Sequence, residues 1–172
     1  MSDCLIELGT EELPPKALLK LSQSFTDGVL KGLDAAGIKP AGVESFATPR
    51  RLAMLLKDIP AQQPDRVVEK RGPALQAAFD AEGNPSKAAQ GFARSCGVEV
   101  ADLTRRETDK GSWLYFEQNQ SGQPLAELLP EIVAQSLAQL PIPKRMRWGD
   151  RSDEFVRPVH WLVMMLDDSV ID

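Results

Sequence analysis

The sequence predicts an α+β fold in which a mixed or antiparallel sheet packs against a long N-terminal helix, with a small helical hairpin as an excursion. Two observations lead to this fold class. Apolar segments typical of buried strands lie near both ends of the chain, at Cys4–Leu8 and Trp161–Leu166. The segments between them are short and separated by proline and glycine. We therefore expect residues 1–59 and 125–172 to form the core and residues 60–124 to form a peripheral excursion.

Composition limits the class of protein. The chain has 172 residues, of which 42% are hydrophobic and 26% charged, as in a soluble globular domain. The formal net charge of -5 argues against a general nucleic-acid coat protein, although a local basic patch remains compatible with it. Cys4 and Cys96 are far apart, which predicts reduced cytosolic thiols and no zinc site. No apolar run approaches the ~20 residues of a membrane span, and the N-terminus lacks the features of a secretory signal.

The N-terminal part predicts a strand at Cys4–Leu8 followed by a long helix. A pair of prolines suits the first helical turn, and the helix then runs to about Ala36, with Gly37 as its C-terminal cap. Gly28 and Gly32 are four residues apart and would let another backbone approach this helix closely. The apolar residues of the helix recur at three- and four-residue spacing and form one face: Leu18, Leu21, Phe25, Val29 and Leu33.

The middle of the chain predicts short strands and two short helices. The expected elements are strands at 43–46, 52–59 and 66–71, helices at 74–81 and 86–96, and strands at 103–107 and 113–118. Ser86 suits the start of the second helix and Gly97 its end. The triplet Asp109, Lys110 and Gly111 suits a tight turn between the last two strands. Aromatic residues on the last strand favour packing under the neighbouring helices over base stacking.

The C-terminal part predicts a helix, a basic turn and a buried strand. Residues 125–140 carry a helical apolar stripe that includes Pro130, so the helix either kinks at this proline or restarts there. Two prolines then end the helix, and a basic stretch follows. Trp161–Leu166 is predicted to be a buried strand, and a further strand begins at Val170.

Groups able to catalyse a reaction are scarce. The only histidine, His160, lies in an apolar run beside Trp161, which favours a buried imidazole bonded to the backbone over a general base. Glu11 and Glu12 are expected to be solvated carboxylates near a helix N-terminus. The sequence has no His/Cys cluster and no glycine-rich nucleotide loop after a strand. We therefore predict no catalytic residue, no metal ligand and no cofactor in this chain.

Three basic stretches are the candidates for a binding site. Each abuts a proline or glycine turn and is therefore expected at the surface. Their cations are Arg50, Arg51, Lys70, Arg71, Lys144, Arg145 and Arg147. If the parent elements share one rim, these cations form a positive patch that has no stability rationale and suits phosphate. The alternative is an ordinary charged surface.

Motifs along the whole chain resemble one known family. In chain order they are IELGTEELPPKAL at 6–18, ATPRRLA at 47–53, EKRGPA at 69–74, NPSKAAQGFARSCG at 84–97, TDKGSWL at 108–114, LPIPKRMRW at 140–148 and FVRPVHW at 155–161. They resemble the N-terminal portion of the beta subunit of the bacterial, heterotetrameric glycyl-tRNA synthetase, and they cover residues 1–172.

This resemblance implies part of a glycine–tRNA ligase, the ATP-dependent enzyme that attaches glycine to tRNA. It implies a cytoplasmic protein whose partners are the alpha subunit and glycine tRNA, with no contact to membrane or DNA. The chemical step of the family is understood to reside in the alpha subunit. ATP is then used by the holoenzyme, and this region is expected to serve subunit assembly and tRNA contact.

Two other interpretations remain open. The first is a purely structural scaffold without RNA contact, in which Arg50, Arg71 and Arg145 lie on separate faces. The second is a small-molecule hydrolase that uses His160 with Glu11 or Glu12. A hydrolase would require the imidazole to open into a cleft beside a carboxylate.

Overall fold

The chain forms two compact units. A computed structural model describes residues 1–80, 82–108, 111–150 and 152–172. Unit 1 comprises Met1–Pro64 and Gly122–Asp172, and unit 2 comprises Asp65–Ser121. Both units combine helices with antiparallel sheets, which confirms the predicted α+β class. The first element of the chain is a strand, and its first helix begins only at Pro15.

Unit 1 is built on a five-stranded antiparallel sheet. Its strands are β1 (Ser2–Thr10), β2 (Gly42–Thr48), β3 (Arg51–Ile59), β9 (Val159–Leu166) and β10 (Ser169–Ile171), in the spatial order β10-β9-β1-β3-β2. Strand β1 therefore lies at the centre and pairs with β3 on one side and β9 on the other. The apolar segments predicted at the two ends of the chain are neighbours in one sheet.

Two helices pack together and share the apolar core of unit 1 with the sheet. They are α1 (Pro15–Ala35) and α4 (Leu125–Ala138). Helix α1 ends as its sequence predicts, because Gly37 has a φ of 75° and Ile38 N donates a hydrogen bond to Leu33 O at 2.9 Å. Helix α4 continues through Pro130 and does not restart there.

A close approach is found at both α1 glycines, although at Gly32 the neighbour is a side chain and not the predicted backbone. A Cβ placed on Gly32 would lie 2.6 Å from Ile132 Cγ2, and one on Gly28 would lie 3.0 Å from Ser136 Cβ. Both neighbours belong to α4. The glycines therefore set the separation between the two helices, at a cost of up to ~1 kcal/mol each in helix propensity relative to alanine.

Strand β9 is less buried than its apolar sequence predicts. Met164 is buried at 6% exposure, whereas Trp161 and Leu162 each remain 40% exposed. The physical reason is position along the strand, because Trp161 and Leu162 lie near the start of β9, where the sheet is not covered, and Met164 lies further along, where it is. An apolar run longer than the covered stretch therefore leaves large side chains accessible.

A short hairpin connects α4 to β9 in unit 1. Its strands are β7 (Met146–Arg147) and β8 (Glu154–Phe155). Gly149 lies between them with a left-handed φ of 65°. After β8 the chain enters the core, where Phe155 and Val156 are buried. The basic stretch before β9 is thus a turn that leads into the interior.

Unit 2 contains a sheet of its own as well as helices. The sheet has the order β4-β6-β5, and its strands are β4 (Arg66–Ala74), β5 (Thr104–Thr108) and β6 (Gly111–Gln120). Helices α2 (Leu75–Ala78) and α3 (Lys87–Cys96) and a 3-10 turn (Val100–Asp102) complete the unit. Its apolar cluster contains Ala78, Ala89, Ala93, Leu103, Leu114 and Phe116. The excursion expected as a helical hairpin therefore also contains a three-stranded sheet.

The predicted helix limits in unit 2 are partly correct. Ser86 accepts a hydrogen bond from Ala89 N at 3.3 Å and caps α3, and Gly97 ends it with a φ of 73°. Helix α2 is only four residues long and stops before Phe79. The predicted range of this helix ends at Ala81, which lies outside the described residues. The same holds for Asp109 and Lys110 of the predicted tight turn.

Among the residues that the structure describes, no helix is long and apolar enough to cross a membrane.

Two glycine-to-alanine substitutions are expected to have opposite effects on stability, because only one of the two glycines lies in the contact between α1 and α4. Gly32→Ala is expected to destabilise unit 1 by about 1–3 kcal/mol, because the new Cβ meets the stiff, β-branched Ile132. Gly91→Ala in α3 is the matched control, since a Cβ there has nothing within 4 Å. It is expected to stabilise its helix by up to ~1 kcal/mol. Native-state hydrogen exchange in α1 and α3 measures each effect locally, and equal protection changes in both variants would contradict the packing argument.

Candidate functional site at the end of the sheet

Three segments of unit 1 meet at one end of the five-stranded sheet. Because β1 runs antiparallel to both neighbours, its last residues lie beside the first residues of β3 and β9. Thr10 N donates to Arg50 O, and Glu11 N donates to Pro158 O, each at 2.9 Å. We call the side chains gathered here the sheet-end cluster: Glu7, Glu11, Arg50, Arg51, His160 and Trp161. They belong to segments that are far apart in the sequence.

Glu11 joins an arginine and a histidine in this cluster. One carboxylate oxygen accepts a hydrogen bond from Arg50 Nη2, and the other lies 2.8 Å from His160 Nε2. The hydrogen bond from Arg50, and next the one from His160, lower the pKa of Glu11 below its ordinary value. Glu11 is therefore a paired carboxylate and not the solvated turn residue that its sequence position favours.

His160 is not the buried imidazole that its apolar neighbours favour. Its side chain is 45% exposed and is bonded to the Glu11 carboxylate, not to a backbone group. It occupies the start of β9, where the strand reaches the sheet end. The apolar residues are continuous in the sequence, but the rest of unit 1 does not cover the strand along its whole length. Only the register between β1 and β9, which pairs Thr10 with Val159, brings Glu11 close.

Trp161 lies flat over the central strand. It pairs in register with Gly9, and a Cβ at Gly9 would lie 2.1 Å from Trp161 Cε2. The indole Nε1 donates to Glu7 Oε1 at 3.0 Å. Arg51 completes the arrangement, with Nη1 3.4 Å from Glu7 Oε2 and Cζ 5.8 Å from the indole centroid. Glycine at position 9 is therefore what allows the indole to cross the sheet.

The sheet-end cluster surrounds an open depression of about 460 Å³. Its formal charges nearly balance, since two arginines face two glutamates and one histidine. Thr10 is a poor nucleophile, because it is 1% exposed and its hydroxyl donates to Glu11 O at 2.8 Å. The described part of the chain also contains no group of three or more side chains placed to hold a metal ion. The cluster is suited to hydrogen-bonding a polar ligand rather than to activating one.

The third basic stretch is partly used inside unit 1. Arg145 Nη2 donates to Ala138 O at 2.8 Å, which satisfies a carbonyl at the end of α4. Arg147 Nε donates to Glu154 Oε1 at 2.9 Å across the β7–β8 hairpin. Lys144 is exposed and forms no ion pair with a described residue. It lines a different depression from the one at Arg50 and Arg51.

The second basic stretch belongs to unit 2. Arg71 stacks on Trp113, with Cζ 4.5 Å from the ring centroid, and Lys70 is exposed. The expectation that aromatic residues of β6 pack under the helices holds for Phe116 but is wrong for Trp113 and Tyr115. These two lie on the other face of the strand, where they lie under arginine side chains.

One further arginine on this face of unit 2, Arg106, is not among the cations predicted from the sequence. Arg106 bridges Glu69 at 3.0 Å and Glu117 at 2.8 Å, and it also lies 5.2 Å from the Tyr115 centroid. These side chains come from three strands, β4, β5 and β6. The sequence feature that points to this arrangement is the alternation of side chains along β6, which places Trp113, Tyr115 and Glu117 on one side of the strand.

Comparison with known proteins gives the family. Residues 4–172 match a protein-family model described as the glycyl-tRNA synthetase beta subunit, which places the chain in the class of aminoacyl-tRNA synthetase subunits. The chain belongs to the glycyl-tRNA synthetase beta subunit family.

Individual relatives agree with this family. The chain is 56% identical over 170 residues to the glycine–tRNA ligase beta subunit of Marinobacter nauticus, and 99% of the chain is covered. It is 55% identical to that of Hahella chejuensis with 99% covered, and 54% identical to that of Cronobacter sakazakii with 97% covered. The chain spans only about a quarter of the length of these relatives, between 24% and 25%.

The pairing of Glu11 predicts a pH-dependent loss of stability. A carboxyl group whose pKa is lowered by folding stabilises the folded state above its ordinary pKa, and this contribution is lost as the pH falls through the lowered value. Glu11→Gln is therefore expected to lower the melting temperature at neutral pH, and the difference from the parent chain is expected to shrink at pH values below 4.5. Glu12→Gln is the control, since Glu12 forms no ion pair with a described residue. Thermal unfolding over a pH series measures both, and a difference that persists unchanged in acid would rule out the ionic contribution.

Proposed function

We propose that this chain is a region of the beta subunit of a glycine–tRNA ligase that serves subunit assembly and tRNA contact and does not carry out the chemical step. The observation that carries this proposal is the family match over residues 4–172. In this proposal the partners are the alpha subunit and glycine tRNA, and ATP is used by the holoenzyme. No cofactor is assigned to the present region.

The exposed arginines support a contact with RNA phosphates. Guanidinium groups present forked donors that match phosphate oxygens, and Arg50, Arg51 and Arg147 have side chains that are 50–66% exposed. Each is bonded to a carboxylate, so a phosphate has to compete for it. Exposed ion pairs contribute only about 0–1 kcal/mol. Replacing the carboxylate by a phosphate therefore costs little free energy.

Unit 2 offers a second kind of RNA contact. Arg71 stacked on Trp113 and Arg106 stacked on Tyr115 place cations and aromatic rings on one sheet face. Aromatic side chains on a sheet suit unpaired bases, and arginine adds a phosphate contact. Glu69 and Glu117 lie on the same face and limit its positive potential. This face therefore supports contact with single-stranded tRNA segments more than with a duplex backbone.

The absence of an activated nucleophile or phosphate-binding loop from the described residues leads to a prediction about activity. The isolated chain is expected not to catalyse glycine-dependent exchange of pyrophosphate into ATP, because none of the sheet-end side chains is placed for adenylate chemistry. The complete enzyme assayed in parallel is the positive control. Exchange above background by the isolated chain, abolished by His160→Ala, would overturn the assignment of the chemical step to another part of the enzyme.

Salt-dependent binding tests the RNA contact. In the complete enzyme, Arg50→Ala, Arg71→Ala and Arg145→Ala are each expected to weaken tRNA binding. Removal of one arginine–phosphate interaction should reduce the slope of log affinity against log salt concentration by roughly 0.7 for single-stranded and 0.9 for duplex segments. Fluorescence anisotropy at several salt concentrations measures the slope, and thermal melting verifies the fold.

Lys39→Ala serves as the matched control for this series. Lys39 is a surface cation with a side chain 79% exposed that pairs with Asp34 and lies outside the three basic stretches. Its removal is expected to leave the slope unchanged. If all three arginine variants behave like Lys39→Ala, the basic stretches are structural or intersubunit charges, and the tRNA contact lies elsewhere in the enzyme.

A further inference from the structure

A groove in unit 1 has a composition that differs from that of the sheet-end cluster. It lies between the first turns of α1, the segment 141–144 and residues 156–157, and encloses about 420 Å³. Its lining residues are Pro14, Lys16, Ala17, Lys20, Leu21, Pro141, Pro143, Lys144, Val156 and Arg157. Of these, only Lys144 belongs to the basic stretches considered above.

The floor of the groove is apolar. Leu21 and Val156 are buried at 1% and 3% exposure and belong to the core of unit 1. The other apolar lining residues are Ala17 and three prolines. None of the described residues that line the groove is aromatic, so a nucleic-acid base would find no stacking partner among them.

The rim of the groove is entirely cationic. Lys16, Lys20 and Lys144 are exposed, and Arg157 is held in place by donating from Nη1 to Val156 O at 2.8 Å. No carboxylate is found among the described residues that line the groove, and none of these four cations forms an ion pair with them or with the rest of the described chain. The first turn of α1 contains no acidic residue either. The positive end of the helix dipole adds to the same potential.

Folding alone does not account for this arrangement. Lys16 and Lys20 are four residues apart on α1, where like charges are destabilising. The chain as a whole carries a net charge of -5, so four uncompensated cations around one groove are a local reversal of its charge. An anionic ligand accounts for the rim, and the apolar floor restricts the kind of anion.

We propose that this groove binds an acidic, amphipathic segment of a partner protein. Carboxylates of the segment pair with the four rim cations, and apolar side chains between them pack on Leu21, Val156 and the prolines. Charge complementarity selects the segment, and the floor distinguishes it from an RNA strand, whose phosphates make no use of apolar surface. This inference does not depend on the RNA contact proposed above, since the arginines tested there lie outside the groove.

Binding of defined probes to the purified chain tests the inference. The main probe is a fluorescein-labelled peptide of about 14 residues made of Glu, Ala and Leu, with Leu at three- and four-residue spacing so that one helical face is apolar. A second peptide has Ser in place of Leu, and a labelled oligouridylate of similar length is the RNA probe. Fluorescence anisotropy gives the dissociation constant of each.

Three variants separate charge from packing. Lys16→Ala combined with Lys144→Ala removes two rim cations and is expected to weaken binding of the Glu/Leu peptide by about tenfold. Ala17→Trp fills the floor without changing the charge and is expected to weaken it as well. Lys31→Ala, which removes an exposed cation from the same helix outside the groove, is the matched control and is expected to have no effect. Since the substituted lysines are exposed, the double variant is expected to melt like the parent chain.

The outcomes that overturn the inference are distinct. A Glu/Leu peptide that does not bind, or that binds the double variant as well as the parent chain, excludes the groove as its site. Equal binding of the Ser-containing peptide, with no effect of Ala17→Trp, shows that the floor is not used. Tighter binding of the oligouridylate, abolished in the same double variant, identifies an RNA site instead.

Discussion

The pairing of β1 with both β3 and β9 is the constraint on which unit 1 depends. It joins the first ten residues of the chain to a strand that begins almost 150 positions later, as the register between Thr10 and Val159 records. The core follows from it, because the buried side chains of β1, Cys4, Ile6 and Leu8, meet those of both neighbours. Burial also raises the pKa of Cys4 to about 11, which keeps this thiol protonated and unreactive. The sheet-end cluster follows as well, since Glu11 meets Arg50 and His160 only where those strands begin.

Electrostatic pairing divides the cations of unit 1 into two groups. At the sheet end, carboxylates from β1 and the residue after it neutralise Arg50 and Arg51, so binding there requires exchange of one anion for another. At the groove beside α1, four cations surround apolar surface without a lining carboxylate. Replacing the carboxylate of an exposed ion pair by another anion costs little free energy. Uncompensated like charges, in contrast, raise the free energy of the protein without its ligand. The two sites are therefore suited to different ligands, although both are rich in lysine or arginine.

The sequence predicts those features that depend on local chemistry. The caps at Ser86 and Gly97, the end of α1 at Gly37 and the close approach at Gly32 each depend on one residue and its neighbours along a helix. The apolar neighbours of His160 and Trp161 favour burial of both side chains, but burial depends on how far the covered part of the sheet extends along β9. The sequence singles out Lys144 among the groove cations but not Lys16, Lys20 or Arg157. Lys16 and Lys20 are ordinary helix-surface residues in sequence, and only the return of the chain at 141–144 and 156–157 makes them a rim.

The junction of the two units explains how residues 65–121 enter the chain without disturbing the core of unit 1. The segments on either side of the insertion run together, with Gln63 N donating to Gln123 O at 2.9 Å and Leu125 N donating to Ala61 O at 2.8 Å. Gly122 permits this approach, since a Cβ there would lie 1.9 Å from Gln63 O. The two ends of the insertion are thus fixed side by side within unit 1, so the entropy cost of bringing them together is small. Unit 2 has its own sheet and apolar cluster, so the Arg71–Trp113 pair is held by contacts separate from those that hold Arg50 and Arg145.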